Sequence, residues 1–149
     1  HTVDGATAIV LNRPYPAEKK NNLPAFLQKD GLSVFWGGPI GDHDVVYILK
    51  YSGPQDKPVL RPFDEWIADH KDILGEIEKS PQSFRIYVGA AGWGPLQFEL
   101  ERLAGAWFFG VRNKIILDIP VSQVDTIWHE FMKEAPQNNK SAIAAARVS

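Results

Sequence analysis

Gly89-Ala90-Ala91-Gly92-Trp93-Gly94-Pro95-Leu96-Gln97-Phe98-Glu99 is the stretch on which the reading of this chain turns. Gly89, Gly92 and Gly94 permit backbone geometry that a Cβ forbids, and Pro95 fixes φ where a helix can begin. Ahead of the stretch, Phe84-Arg85-Ile86-Tyr87-Val88 has the aromatic and β-branched content of a strand. Behind it, Leu96, Leu100 and Leu103 recur at helical spacing, and Gly105 supplies a stop. The segment reads as a sharp corner that joins a strand to a helix, and Trp93 is expected to tuck against the sheet.

Working outward toward the N-terminus, Ala6 to Leu11 reads as a buried strand halted by the turn signal Asn12-Arg13-Pro14. Tyr15 to Asn22 reads as an exposed loop, Leu23 to Lys29 as a short helix, and Val34-Phe35-Trp36 as a strand entering Gly37-Gly38-Pro39. Val45 to Leu49 is a further strand, connected through Gly41-Asp42-His43-Asp44, and Ser52 to Pro58 is a loop. From Phe63, the positions Phe63, Trp66, Ile67, Ile73, Leu74 and Ile77 follow one helical face, weakened at Gly75 and ended by Ser80-Pro81. Toward the C-terminus, Ala106 to Val111 and Lys114 to Leu117 read as strands around Arg112-Asn113. Ser122 then opens a helix carrying Val124, Ile127, Trp128, Phe131 and Met132 on one face, which is expected to pack on the sheet. The pattern predicts a single α+β domain over residues 1–135, with a mainly antiparallel or mixed sheet and about three helices. Residues 136–149 form a polar, alanine-rich tail read as flexible.

Composition limits the function classes. The chain has 149 residues, 44% hydrophobic and 23% charged, which suits one ordinary globular core. Sixteen basic against eighteen acidic side chains give a net charge of -2, so no broad positive field favours nucleic acid. Cysteine is absent, which rules out disulfides, thiol nucleophiles and thiolate-held metals. No apolar run spans a bilayer and the N-terminus lacks a signal-peptide layout, so a cytoplasmic protein with no membrane association is expected.

No catalytic pattern stands out. Asp42-His43-Asp44 places three ligand types in a row, but alternate residues of an extended chain point apart and no second His or Cys pair completes a site; no metal is expected. His129-Glu130 lacks the second His of a zinc helix, and no serine sits in a nucleophile elbow. The corner lacks the Lys-Ser/Thr pair of a phosphate loop, so no nucleotide cofactor is expected. The candidate ligand-binding residues are Asn12, Arg13, Gly37, Gly38, Gly92, Trp93, Gly94 and Gln97. Arg13 and Asn12 suit a carboxylate or phosphate, and amides at a helix start suit an anion. The competing reading makes Asn12-Arg13-Pro14 a turn with Arg13 paired to an acidic neighbour, and gives the glycines a purely geometric role.

Four ordered motifs carry a family resemblance: Gly5-Ala6 with Leu11-Asn12-Arg13-Pro14; Val34-Phe35-Trp36-Gly37-Gly38-Pro39-Ile40; residues 89–99; and Leu117-Asp118 with Trp128. Together they resemble the YqgE/AlgH family of bacterial proteins. The resemblance implies a compact α+β fold with a curved, partly open, barrel-like sheet, and places His1 beyond a family N-terminal strand. Some members are described as regulators of exopolysaccharide production or of transcription, and no common catalytic residue or cofactor carries across. Leu96 stands where the family tends to have glycine, and Lys50 follows Leu49 where it often has His. The leading expectation is therefore a noncatalytic regulatory or adaptor protein with a protein partner. The alternatives are a small-molecule or anion-binding protein, or an enzyme, at the candidate residues, and a transcriptional regulator.

Overall fold

The computed structural model describes residues 4–41, 44–53, 55–107, 117, 121–123, 126, 129 and 133. Strand β5 (Phe84–Val88) lies at the centre of the larger sheet because it alternates bulky residues that both faces can bury. β2 (Ser33–Trp36) pairs with it in parallel and β3 (Val46–Lys50) antiparallel; β4 (Val59–Pro62) adds to β3, giving the order β2-β5-β3-β4. A second, two-stranded antiparallel sheet joins β1 (Ala6–Ala8) to β6 (Ala91–Trp93). The architecture is α+β with a mixed main sheet, which among the described residues is not closed into a barrel.

Alternation along the strands sorts their side chains onto two faces. Val34, Val46, Ile48, Phe84, Ile86 and Val88 form one core with Trp66, Ile73 and Ile77 from the helices. Phe35, Leu49, Tyr51 and Tyr87 form the opposite cluster, where the Phe35 and Tyr87 rings stack at 5.3 Å. The Trp66 indole N–H donates to the Ile48 carbonyl at 3.0 Å, which fixes its helix to the middle of β3.

Several expectations are corrected. The helix read from Phe63 onward is two helices, α1 (Phe63–Asp69) and α2 (Ile73–Lys79), broken where His70 turns extended. The break lets Trp66, Ile73 and Ile77 reach the core while Ile67 and Leu74 stay exposed. Residues 6–11 are not a buried strand: β1 ends at Ala8, and Thr7 and Ala8 are exposed. Ala17–Asn22 and Ala25–Leu27 are 3-10 turns. Leu117 is helical, where a strand end was expected. Nearly all of the strands expected over 106–116, and most of the helix expected from Ser122, lie outside the described residues; Val121–Gln123 form a 3-10 turn.

The two sheets meet where Gly37-Gly38 crosses Gly89-Ala90. Gly37 N–H donates to Val88 O at 2.7 Å, and Ile40 and Ala90 exchange hydrogen bonds at 2.8 and 2.9 Å. A Cβ on Gly38 would collide with the Ala90 carbonyl group, and one on Gly89 with the Gly38 carbonyl oxygen, while both φ values are positive (151° and 82°). Steric exclusion and backbone conformation therefore demand glycine twice over.

This crossing generates a prediction. Gly38→Ala is expected to destabilise the protein by roughly 3 kcal/mol or more, whereas Gly53→Ala, with open space around it but φ 140°, costs about 1–2 kcal/mol. Urea unfolding of both variants measures the difference, and equal losses would refute the crowding argument.

Candidate functional site

The candidate residues fall into two groups with the glycine crossing between them. In the first, residues 10–15 run beside β2: Val10 N–H donates to Gly37 O at 2.8 Å, Trp36 N–H to Arg13 O at 2.8 Å and Tyr15 N–H to Val34 O at 3.0 Å. Asn12-Arg13-Pro14 is thus part of a strand-like edge and Pro14 bridges Phe35. The exposed Arg13 guanidinium lies 4.4 Å from the centre of the Trp36 ring, a cation–π contact. Gly37 and Gly38 are buried backbone, packed against Gly89 and Ala90.

The second group surrounds helix α3 (Gln97–Leu103). Gly92 lies beneath the Ile40 side chain, and Trp93 follows on β6. Gly94 to Gln97 then form a tight turn closed by Gln97 N–H donating to Gly94 O at 3.2 Å. Pro95 occupies the position that its fixed φ suits, and Leu96 takes the left-handed position, φ 61°, usual for glycine in a type II turn. Pro95 therefore shapes the turn before α3, and the helix begins two residues later than expected. Gln97 Oε1 accepts from Gly94 N–H at 3.1 Å, so this amide is already used by the chain itself.

Sequence reading missed the residue that organises this group, Glu101. One of its carboxylate oxygens accepts from the indole N–H of Trp93 at 3.0 Å and of Trp107 at 2.9 Å, and the other from the Gln97 amide at 3.0 Å. Trp93, Phe98 and Trp107 close a ring cluster with centroids 5.3 to 5.9 Å apart. Trp93 is thereby half-buried against α3 and Trp107, where packing on the sheet was expected. The i, i+4 spacing of Gln97 and Glu101 was a usable signal; the convergence of two tryptophans from outside the helix was not.

The donors from Trp107, Gln97 and Trp93 hold the Glu101 carboxyl below its ordinary 4.5. Lys50, by hydrogen bond and charge, lowers Glu76 similarly, at 2.8 Å. Burial raises the Tyr87 phenol, opposed by the charge of Arg85. Each of these displacements moves away from neutral pH, opposite to what a general acid or base requires. Among the described residues no three His, Cys, Asp or Glu side chains assemble a cation site, and no helix is long and apolar enough to cross a membrane. Asp42 and His43 lie outside the described residues.

With both sides of Glu101 occupied inward, α3 turns its apolar stripe outward. Leu96, Leu100 and Leu103 are 66%, 66% and 75% exposed. Two concavities, of about 270 and 560 Å³, are lined by other residues: Lys29, Leu32, Ile77 and Glu78 line part of the first; Phe26 and Phe63 belong to the second.

The profile of the AlgH-like family matches residues 1–140. Among curated relatives, a UPF0301 protein of Nitrosococcus oceani is 35% identical, aligned over 83% of this chain and 71% of its own length. A UPF0301 protein of Streptomyces avermitilis is 30% identical over 97% of this chain and 77% of its own. The solution structure of the AlgH protein from Pseudomonas aeruginosa superposes with a TM-score of 0.53 at 22% identity, covering the whole of this chain and 75% of that one. This last likeness concerns the fold.

Two outcomes are expected at this site. Leu96→Gly removes about 1–2 kcal/mol of left-handed strain and adds about 0.5–1 kcal/mol of chain entropy, so the urea midpoint should rise slightly; a clear fall would refute the turn assignment. Because folding lowers the Glu101 pKa, its stabilising contribution is present above pH 4.5 and is lost as pH falls through the lowered value. Tryptophan fluorescence should therefore change below pH 4.5 in the parent chain and lose that transition in Glu101→Gln.

Proposed function

The chain belongs to the AlgH-like family, and we propose that it acts by binding another protein, as a noncatalytic regulatory or adaptor module, with the outer face of α3 as its contact surface. The observation that carries this reading is the stripe Leu96, Leu100 and Leu103, exposed over about 10 Å of chain. A helix alone in water would not hold such a face steady; here Glu101 pins its inner side to Trp93 and Trp107. A preorganised apolar stripe suits a contact surface, since little freedom is lost on contact. The polar groups nearby support the same reading, because Glu101, Gln97 and the Gly94 amide are spent on one another.

The test compares the parent chain with Leu100→Glu/Leu103→Glu, both positions being exposed enough to accept charge without unfolding. A partner co-isolated from the native cell is identified, purified and titrated against each. Binding should weaken at least about tenfold, or 1.4 kcal/mol, in the double variant, with its thermal unfolding unchanged. Equal affinity for both chains would remove α3 as the contact, and failure to obtain any saturable partner would count against protein binding itself.

A further inference from the structure

The cleft of about 560 Å³ shares no residue with α3 or the glycine crossing. It opens where the start of β3, the end of β4 and the start of α1 converge, and its size is in the usual range for small-ligand pockets. Phe26 and Phe63 contribute hydrocarbon to it; their rings stack at 4.8 Å and both pack against the main core, so this side is rigid. Pro24 and Pro62 add apolar surface and bring no N–H.

The remaining chemistry is acidic. Asp44 and Asp64 line the same cleft, and among the described residues no Lys, Arg or His does. Among the described residues neither carboxylate is joined to a cation, in contrast to Glu76, Glu78 and Asp69, which are. Asp64 and Glu65 sit in the first turn of α1 and offset the partial positive charge of its amide end. An anion would meet two like charges here. A neutral apolar ligand would draw the carboxylates toward a drier setting with no compensating donor.

We propose that this cleft binds a small aliphatic amine, its alkyl chain lying on Phe26, Phe63 and the two prolines and its ammonium group held by Asp44 and Asp64. An ammonium offers three donors to carboxylate oxygens. The hydrocarbon wall selects for an alkyl stem over a bare inorganic cation.

The probes are 1-aminopentane and its neutral isostere 1-pentanol, each titrated into the intact chain while backbone amide resonances are followed by NMR. The amine should produce saturable shifts at residues 44–47 and 63–64, with pentanol binding at least about fivefold weaker. Asp44→Asn and Asp64→Asn should each weaken the amine several-fold, and together abolish the preference over pentanol. Both aspartates are exposed, so these variants should keep the parent's resonance dispersion. The proposal is overturned if the amine causes no localised shifts up to about 10 mM, if pentanol binds equally, or if the double asparagine variant retains the preference. The Leu100→Glu/Leu103→Glu chain should bind amine like the parent, which separates this outcome from that of the α3 surface.

Discussion

The contact of backbone on backbone where Gly37-Gly38 meets Gly89-Ala90 governs the rest of the architecture. Two chain segments approach so closely that no side chain fits between them, and their amides and carbonyls pair across the gap. That approach lets β5 end in a turn and continue at once as β6, which pairs with β1. It also lays residues 10–15 along β2, supplying partners to a strand that would otherwise present bare amides. The direction in which α3 leaves the sheet follows from the same crossing, because only the Gly94–Gln97 turn separates β6 from that helix.

Much of this was legible. β2, β3 and β5 are apolar and β-rich enough to be read directly, and Ser80-Pro81 ends α2 for the reason that proline always disfavours a helical predecessor. β4 was not legible: Val59-Leu60-Arg61-Pro62 is short and carries a proline, and only its pairing with β3 makes it a strand. The split between α1 and α2 escaped notice because the apolar spacing runs across His70; periodicity shows which residues share a face and is blind to where the axis bends. The same blindness explains α3, whose leucines have the spacing of a buried stripe and yet face outward.

The candidate site shows a different limit. Glycines and prolines announced a corner, and it is there, but the groups with reactive potential are arranged by tertiary contacts. Arg13 meets Trp36 from across a strand pair, and Trp93 and Trp107 reach Glu101 from opposite ends of α3. Such convergence leaves no local spacing to detect. The family expectation was the sounder guide to the fold, and the family profile matches residues 1–140. What the relatives' names convey stops at membership, so the burden of any functional statement rests on the α3 surface itself.

Strand β4 is the outermost member of the main sheet as described, and its composition explains how such a margin stays well behaved. Pro62 withholds one amide, and Arg61 sets its charge beside Trp66 and pairs with Asp69 at 2.6 Å. A neighbouring molecule seeking to extend the sheet would have to forgo that hydrogen bond and accommodate a fixed cation. The features that hid β4 from sequence reading are thus ones that discourage a further strand from pairing along it.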